Sequence, residues 1–399
     1  MRAFCFGLLV AALAWWFLGR GDGVGAATPS GGPMPTAAGG PQGGAPAGPA
    51  SGLAAVLPGA GRTAAPALDA GKQVVVPLPS VEDVIARLAA GDAAAVGTAW
   101  ALVAAGPSAG RGRLLTALQP AQTDFATLLR TLGADNTFLH SAEGRGIASQ
   151  AVAAAMALPD GEALVAGTQL LELMLKGRIT KEDSVPRAFV DETYKQHRIR
   201  VDRCLCDPAN VAGARSYVVV AGDSLVRIAQ KFRKEGLKVE DGTLAVLNRI
   251  HNPKGLQAGQ KIKVPVDPVS AVVEKRSFSL AVYVGSCLLR LYWVGHGEHD
   301  RTPVTDFLVG DKQPQPSWTA PDGEVYPYGH PKNILGEYFI KFLHDSYSGF
   351  GAHGTPFDGT IGTMSSMGCI RMVKADIAEL FAILPRGAKV SVRATESMR

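Results

Sequence analysis

The sequence predicts a multidomain chain: an N-terminal helical region, a small β-α-α-β module and a β-rich C-terminal domain. Three observations predict it. Apolar residues recur at i, i+3, i+4 and i+7 between Ser80 and Ile199. Residues 216–266 read as a short strand, a Gly turn, two short helices and a returning strand. From residue 276 onward, runs of Val, Leu, Tyr and Phe are separated by Gly, Pro and Asp turns. A length of 399 residues accommodates two or three such domains. The net charge of +5 is mild and spread along the chain, with no dense Lys/Arg block. That excludes nucleic acid as a partner.

Met1 to Gly19 carries Arg2, then an uncharged apolar run, and the next charge is Arg20. The run from Phe4 to Leu18 has the length of a signal-peptide core and is short for a membrane span. Trp15, Trp16 and Phe17 at its far end suit a membrane interface. Residues 1–20 are therefore an export segment, either cleaved near Val24-Gly25-Ala26 or retained as an anchor in the cytoplasmic membrane. Export places the remainder in the periplasm or cell envelope. Residues 21–79 are mostly Gly, Ala, Pro and Ser. They cannot bury enough surface to offset ordering entropy, which makes them a flexible tether.

Residues 80–200 form the helical region. Ser80 is placed to cap its first helix, with Glu82 and Asp83 in the first turn. Val81, Val84, Ile85 and Leu88 share one face. The pattern recurs at Trp100–Ala105, Phe125–Leu132, Ile147–Leu158 and Ala163–Leu175, punctuated by Gly106-Pro107, Pro120 and Pro159-Asp160-Gly161. No chemistry is legible in this region; it is a scaffold or a partner surface. Cys204 and Cys206 form a C-x-C pair. Such a pair either begins a metal site, for which no further ligands follow nearby, or is core residues or a disulfide partner. Cys287 lies among strand residues and reads as core.

In the module, Tyr217 to Val220 is a strand and Gly222 a turn, with Asp223 placed to cap the next helix. Leu225, Ile228, Ala229 and Phe232 line one face of that helix. Thr243 to Asn248 is a second helix, and Leu256 to Pro265 a turn and returning strand. These residues resemble a LysM module over residues 216–266. The match is carried by the Gly222-Asp223-Ser224-Leu225 turn and by Asn248, Asn252-Pro253, Gly259-Gln260-Lys261-Ile262 and Val264-Pro265. The resemblance implies binding of an N-acetylglucosamine-containing glycan by Gly222, Asp223, Ser224 and Leu225 facing Ile250, Asn252 and Pro253. The stretch from Arg233 to Asp241 is longer and more charged than is usual in such modules. The alternative is a module that only supports its neighbour.

In the last domain, residues 276–395, strands are expected at Ser277–Val284, Cys287–Val294, Asp306–Val309, Tyr338–Leu343 and Lys389–Val392, with a helix near Lys374–Leu384. The chemistry concentrates in Ala352 to Met372. His353 and Cys369 stand sixteen positions apart across a Gly-rich interval. A thiol needs a nearby base to become a thiolate, and a chain returning through that interval brings one. Gly368 removes the side chain before the nucleophile, so a substrate carbonyl approaches backbone N–H groups. Arg371 shares a face with Cys369 in an extended segment and suits a carboxylate.

His353-Gly354-Thr355 followed by Ser366-Met367-Gly368-Cys369-Ile370-Arg371-Met372 resembles the active-site signature of the L,D-transpeptidases, the YkuD-type catalytic domain. Arg301-Thr302-Pro303-Val304-Thr305-Asp306-Phe307 and Asn333-Ile334-Leu335-Gly336 resemble two further segments of that family. Thr305 stands where the family commonly has Gly and Ile334 where it has Pro, and neither is expected to touch the chemistry. The fold class is then a β-rich YkuD-like catalytic domain, a small βααβ LysM module and an N-terminal helical region.

The resemblance implies a peptidoglycan L,D-transpeptidase that needs no metal and no organic cofactor. Cys369 is the expected nucleophile and His353 its base. Backbone N–H groups at Gly368 and Cys369 bind the oxyanion, Ser366 and Gly354 orient the pair, and Arg371 holds a stem carboxylate. The expected product is a 3-3 cross-link between peptide stems. Two alternatives stand: an L,D-carboxypeptidase with the same site, and an inert wall-binding protein. Among the other histidines, His344 is the one rival base, because it ends a strand just upstream.

Overall fold

The computed structural model describes residues 79–105, 110–118, 122, 124–134, 139–176 and 185–394. The expected export segment at 1–20 and the tether, apart from its last residue, lie outside them. Among the described residues, seven helices build the N-terminal region: α1 Val81–Ala89, α2 Ala93–Ala105, α3 Arg111–Ala117, α4 Phe125–Ala134, α5 Ala142–Met156, α6 Asp160–Lys176 and α7 Arg187–Arg200. Ser80 caps α1 as expected, its hydroxyl accepting from Asp83 N at 3.1 Å. Leu114, Leu128, Leu139, Leu170, Leu171 and Met174 fill the centre, each under 2% exposed.

The C-terminal part is an eight-stranded mixed sheet. Its strands are β3 Val269–Glu274, β4 Ser279–Val284, β5 Cys287–Trp293, β7 Asp306–Pro314, β10 Tyr338–Leu343, β11 Gly351–Gly354, β13 Ile370–Met372 and β14 Lys389–Arg393. The order across the sheet is β13-β11-β10-β7-β14-β3-β4-β5, while β6 (His296–Gly297) and β12 (Met364–Ser366) pair with each other outside it. Pairs β11–β13 and β3–β14 are parallel; the others are antiparallel. Strand β3 was not among the expected strands, so the sheet begins before residue 276. Strand β7 runs on to Pro314 through Gly310-Asp311-Lys312, whose charges disguise it.

Strands β4 and β5 are almost wholly buried, which follows from being covered on both faces. On one side Leu280, Val282 and Leu289 pack with Ile377, Leu380 and Phe381 of helix α10 (Lys374–Ile383). On the other, Ala281, Tyr283, Leu288 and Leu291 join the core of the helical region. Strand β5 is an edge, and an edge leaves unpaired backbone groups. Helices α6 and α7 satisfy them. Leu288 N donates to Thr168 Oγ1 (3.1 Å), His197 Nε2 donates to Leu288 O (2.8 Å), and Leu291 N donates to Tyr194 Oη (3.0 Å). The helical region thus covers the edge of this sheet.

The small module pairs β1 (Ala214–Val218) with β2 (Lys261–Pro265) antiparallel around α8 (Leu225–Lys234) and α9 (Asp241–Leu247). Ser224, not Asp223, caps α8, accepting from Arg227 N at 3.3 Å. Asp223 is one residue too early and instead accepts from Val220 N (2.9 Å) and Tyr217 Oη (2.8 Å). The module is clasped to both neighbours. Lys263 Nζ donates to Leu205 O, Asp207 O and Asn210 O at 2.6–3.0 Å, and Thr243 Oγ1 donates to Ile383 O at 2.7 Å. Near the end of the charged stretch from Arg233 to Asp241 stands Glu240, 6% exposed, which faces Arg233, Lys312 and Arg386. Among the described residues no helix is long and apolar enough to cross a membrane. Cys204, Cys206 and Cys287 are free thiols, and Cys206 packs into the sheet's core.

Candidate active site

Strands β11 and β13 lie side by side and parallel, with Ala352 opposite Ile370 and His353 opposite Arg371. Side chains alternate along a strand. Ala352, Ile370 and Met372, at most 1% exposed, therefore enter the core against α10. His353, Cys369 and Arg371 take the opposite face. All three line one cavity of about 220 Å³, together with Ser366 and Met367. The two residues separated by sixteen positions meet because the Gly-rich interval returns the chain to a neighbouring strand in register.

His353 is 2% exposed, and its Nδ1 donates to Gly354 O at 2.5 Å. That bond leaves Nε2 unprotonated and able to accept a proton. Burial holds the imidazole down at about 4, against the pull of the Gly354 carbonyl. Burial pushes the half-buried Cys369 thiol up to about 11, against the opposing pull of the Gly351 backbone amide and Arg371. The resting pair is therefore a neutral thiol and a neutral imidazole. The thiol donates to Gly349 O at 3.5 Å, and no hydrogen bond joins it to His353 among the described residues.

Ser366 is 2% exposed and ties the turn before Cys369 at two points. Its hydroxyl donates to Cys369 O (2.6 Å) and accepts from Gly368 N (3.0 Å). This corrects the expectation for Gly368: its N–H is spent on Ser366 and is not free for an oxyanion. What Gly368 supplies is conformation, at φ +135, with Phe350 so close that a Cβ would come within 2.7 Å of its ring. Gly368→Ala is expected to slow acylation of Cys369 by at least about 10²-fold and to cost about 2 kcal/mol of stability. Stopped-flow acylation and urea unfolding would check both. Arg371 is held by Nη1 donating to Ser365 Oγ (3.2 Å) and by backbone bonds in both directions with Gly295.

Other walls of the cavity were not expected. Trp318, Thr319 and Pro321 come from a hairpin of β8 (Trp318–Thr319) and β9 (Val325–Tyr326), and Ile334, Leu335 and Gly349 complete the lining. Pro321-Asp322-Gly323 between the strand-prone pairs Trp318-Thr319 and Val325-Tyr326 was the available signal for that hairpin. Ile334 therefore does touch the site, contrary to expectation. The chain turns there because Asn333, 9% exposed, donates to Pro316 O and Tyr326 O and accepts from Leu335 N. Thr305 stays outside; its hydroxyl meets His344 Nε2 at 3.1 Å, while Ser346 N donates to His344 Nδ1. With both ring nitrogens engaged and no place in the cavity lining, His344 is no rival base.

In the small module, Gly222 and Asn252 are exposed and Asp223, Ser224, Ile250 and Pro253 half-buried. Leu225 is a correction. It is 1% exposed in the module's own core, so its side chain faces away from any glycan.

Residues 268–392 match the family model described as the L,D-transpeptidase catalytic domain, YkuD, and residues 217–265 the LysM domain. The chain is 33% identical over 181 residues to the Bacillus subtilis protein named as the L,D-transpeptidase YkuD, covering 44% of this chain and 98% of that protein. It is 27% identical over 218 residues to the Escherichia coli protein named as the L,D-transpeptidase YcfS, covering 46% of this chain and 63% of that one. Among solved structures, an L,D-transpeptidase from Mycobacterium smegmatis overlaps 34% of this chain and 64% of its own length, at 19% identity and a TM-score of 0.28.

Proposed function

This chain belongs to the YkuD-type L,D-transpeptidase family, and on that premise we propose that it cross-links peptidoglycan stems through an acyl-cysteine intermediate. The observation that carries the reading is the common face of β11 and β13. It puts Cys369, Arg371 and a His353 with a free Nε2 in one cavity. Cys369 gives its proton to His353 Nε2 and its sulfur attacks the carbonyl carbon of the third residue of a tetrapeptide stem. The tetrahedral intermediate expels the fourth residue's amine, which takes the proton from His353 and leaves as D-Ala. An amine of a second stem then attacks the thioester and gives its proton to His353, which returns it to the departing sulfur and restores the thiol. The product is the 3-3 linkage. Arg371 pairs with a stem carboxylate and fixes the donor's register.

The LysM module holds the glycan through Gly222, Asp223, Ser224, Ile250, Asn252 and Pro253. A protein whose two recognisable modules both address peptidoglycan works in the cell envelope. The test is intact-mass spectrometry of the full-length protein with a disaccharide-tetrapeptide, followed by peptide mapping. An adduct on Cys369 together with a cross-linked dimer is expected. Tripeptide without dimer would mean a carboxypeptidase, and an adduct mapping elsewhere would sink the assignment.

A further inference from the structure

We propose that Thr302 is a positioning residue for the oxyanion: it turns the Gly368–Cys369 peptide so that the Cys369 N–H faces the cavity. The inference rests on the reading of Cys369 as an acyl-forming nucleophile. Thr302 is 2% exposed and does not line the cavity; it stands behind the nucleophile turn. Its hydroxyl accepts from Gly297 N at 2.9 Å, which leaves its own proton for Gly368 O at 2.7 Å. In a trans peptide the carbonyl and the following N–H point in opposite directions. A Gly368 carbonyl held back on Thr302 therefore sends the Cys369 N–H the other way, where Cys369 meets the cavity. Gly368 N is taken by Ser366, whereas no hydrogen bond engages Cys369 N among the described residues, so this amide can meet developing charge. As the sulfur–carbon bond forms, the carbonyl's π pair moves to oxygen, and that oxygen accepts from Cys369 N–H.

The loop that delivers Thr302 is built to hold it. His299 and Asp300 sit in the left-handed region at φ 49 and 61. Such backbone persists only where its surroundings over-determine it. Lys275, 3% exposed, supplies that constraint: its ammonium donates to Thr302 O and Asp300 O and pairs with the Asp300 carboxylate. Gly297 completes the packing, since a Cβ there would come within 2.8 Å of Thr302 N and 3.0 Å of Gly368 Cα. Three backbone segments converge where only a glycine fits. The Thr-Pro segment singled out in the sequence thus has a physical role that does not involve touching substrate.

The test uses full-length protein carrying Thr302→Val or Thr302→Ser, with p-nitrophenyl acetate as acyl donor and iodoacetamide as alkylating agent. Acylation passes through an oxyanion and alkylation does not, so a misaimed amide separates the two. Thr302→Val is expected to lower the maximal acylation rate by about 10- to 100-fold. Its half-saturating concentration and its alkylation rate should stay within about threefold of the parent, and Thr302→Ser should restore acylation. Unchanged acylation in Thr302→Val, a parallel fall in alkylation, or failure of Thr302→Ser would each overturn the proposal. So would a parent protein that the ester does not acylate. A parent acylated by the ester but not by a tetrapeptide stem would refute the proposed substrate and leave the role of Thr302 standing.

Discussion

Replacing Cys369 with Ala is expected to abolish acylation by a tetrapeptide stem, and replacing His353 with Gln to slow it by about 10³- to 10⁴-fold at neutral pH. The size of the second effect follows from the resting protonation states. With the thiol pushed up to about 11, only about one sulfur in 10⁴ is ionised at pH 7. In the proposed mechanism His353 removes that handicap by taking the proton as attack begins. Its own pKa is held down at about 4, so it is ready as a base above that value and useless below it. Parent acylation should therefore be flat from about pH 5 to 9 and fall as pH drops through about 4. In His353→Gln the rate should instead track the thiolate, rising about tenfold per pH unit toward pH 11. Stopped-flow acylation across pH decides between these shapes. A His353→Gln protein with the parent's flat profile would show that another group is the base.

Replacing Glu240 with Ala is expected to destabilise the protein by about 3 to 5 kcal/mol. Glu240 accepts from Arg233 Nη1 at 2.9 Å inside the LysM module and faces Lys312 (3.8 Å) and Arg386 (3.4 Å) of the catalytic part. Lys312 is the vulnerable partner, with its side chain 4% exposed and its ammonium otherwise donating to Leu384 O. Burial already holds Lys312 down at about 8, and Glu240 is the largest influence raising it. A lysine depressed in the fold binds fewer protons than in the unfolded chain, so its penalty eases as pH rises between the two values. Without Glu240 the folded value drops further and that window extends downward. Urea unfolding should accordingly show the largest deficit at pH 7 and a smaller one at pH 9. An unchanged midpoint at pH 7 would mean that the clasp contributes nothing.

Local signals carried the small module and the chemistry. Residues 216–266 could be read because strand, turn and helix signals there are short-range: Gly222 sits at φ +86 and Ser224 caps the next helix. His353 and Cys369 were legible because both lie in one segment with a recognisable spacing. Strand β3 was not, since Val269–Glu274 is a single apolar run of the kind that also fits a buried helix segment. The β8–β9 hairpin escaped because its strands are two residues each, too short for any periodicity.

The sequence by itself determined the order of the modules, the two residues proposed for the chemistry and the alternation that puts Arg371 beside them. These depend on neighbours within a few positions along the chain, where propensity and period act. Tertiary structure alone decided that helices α6 and α7 close the edge of the catalytic sheet, through bonds such as Thr168 to Leu288 and His197 to Leu288. It decided that Glu240 joins residues more than seventy positions away, that Ile334 enters the cavity, and that Thr302 stands behind Gly368. Each of these joins distant segments through one or two side chains. A contact of that kind leaves no period in the sequence, and it becomes visible only when the sheet order has brought the segments together.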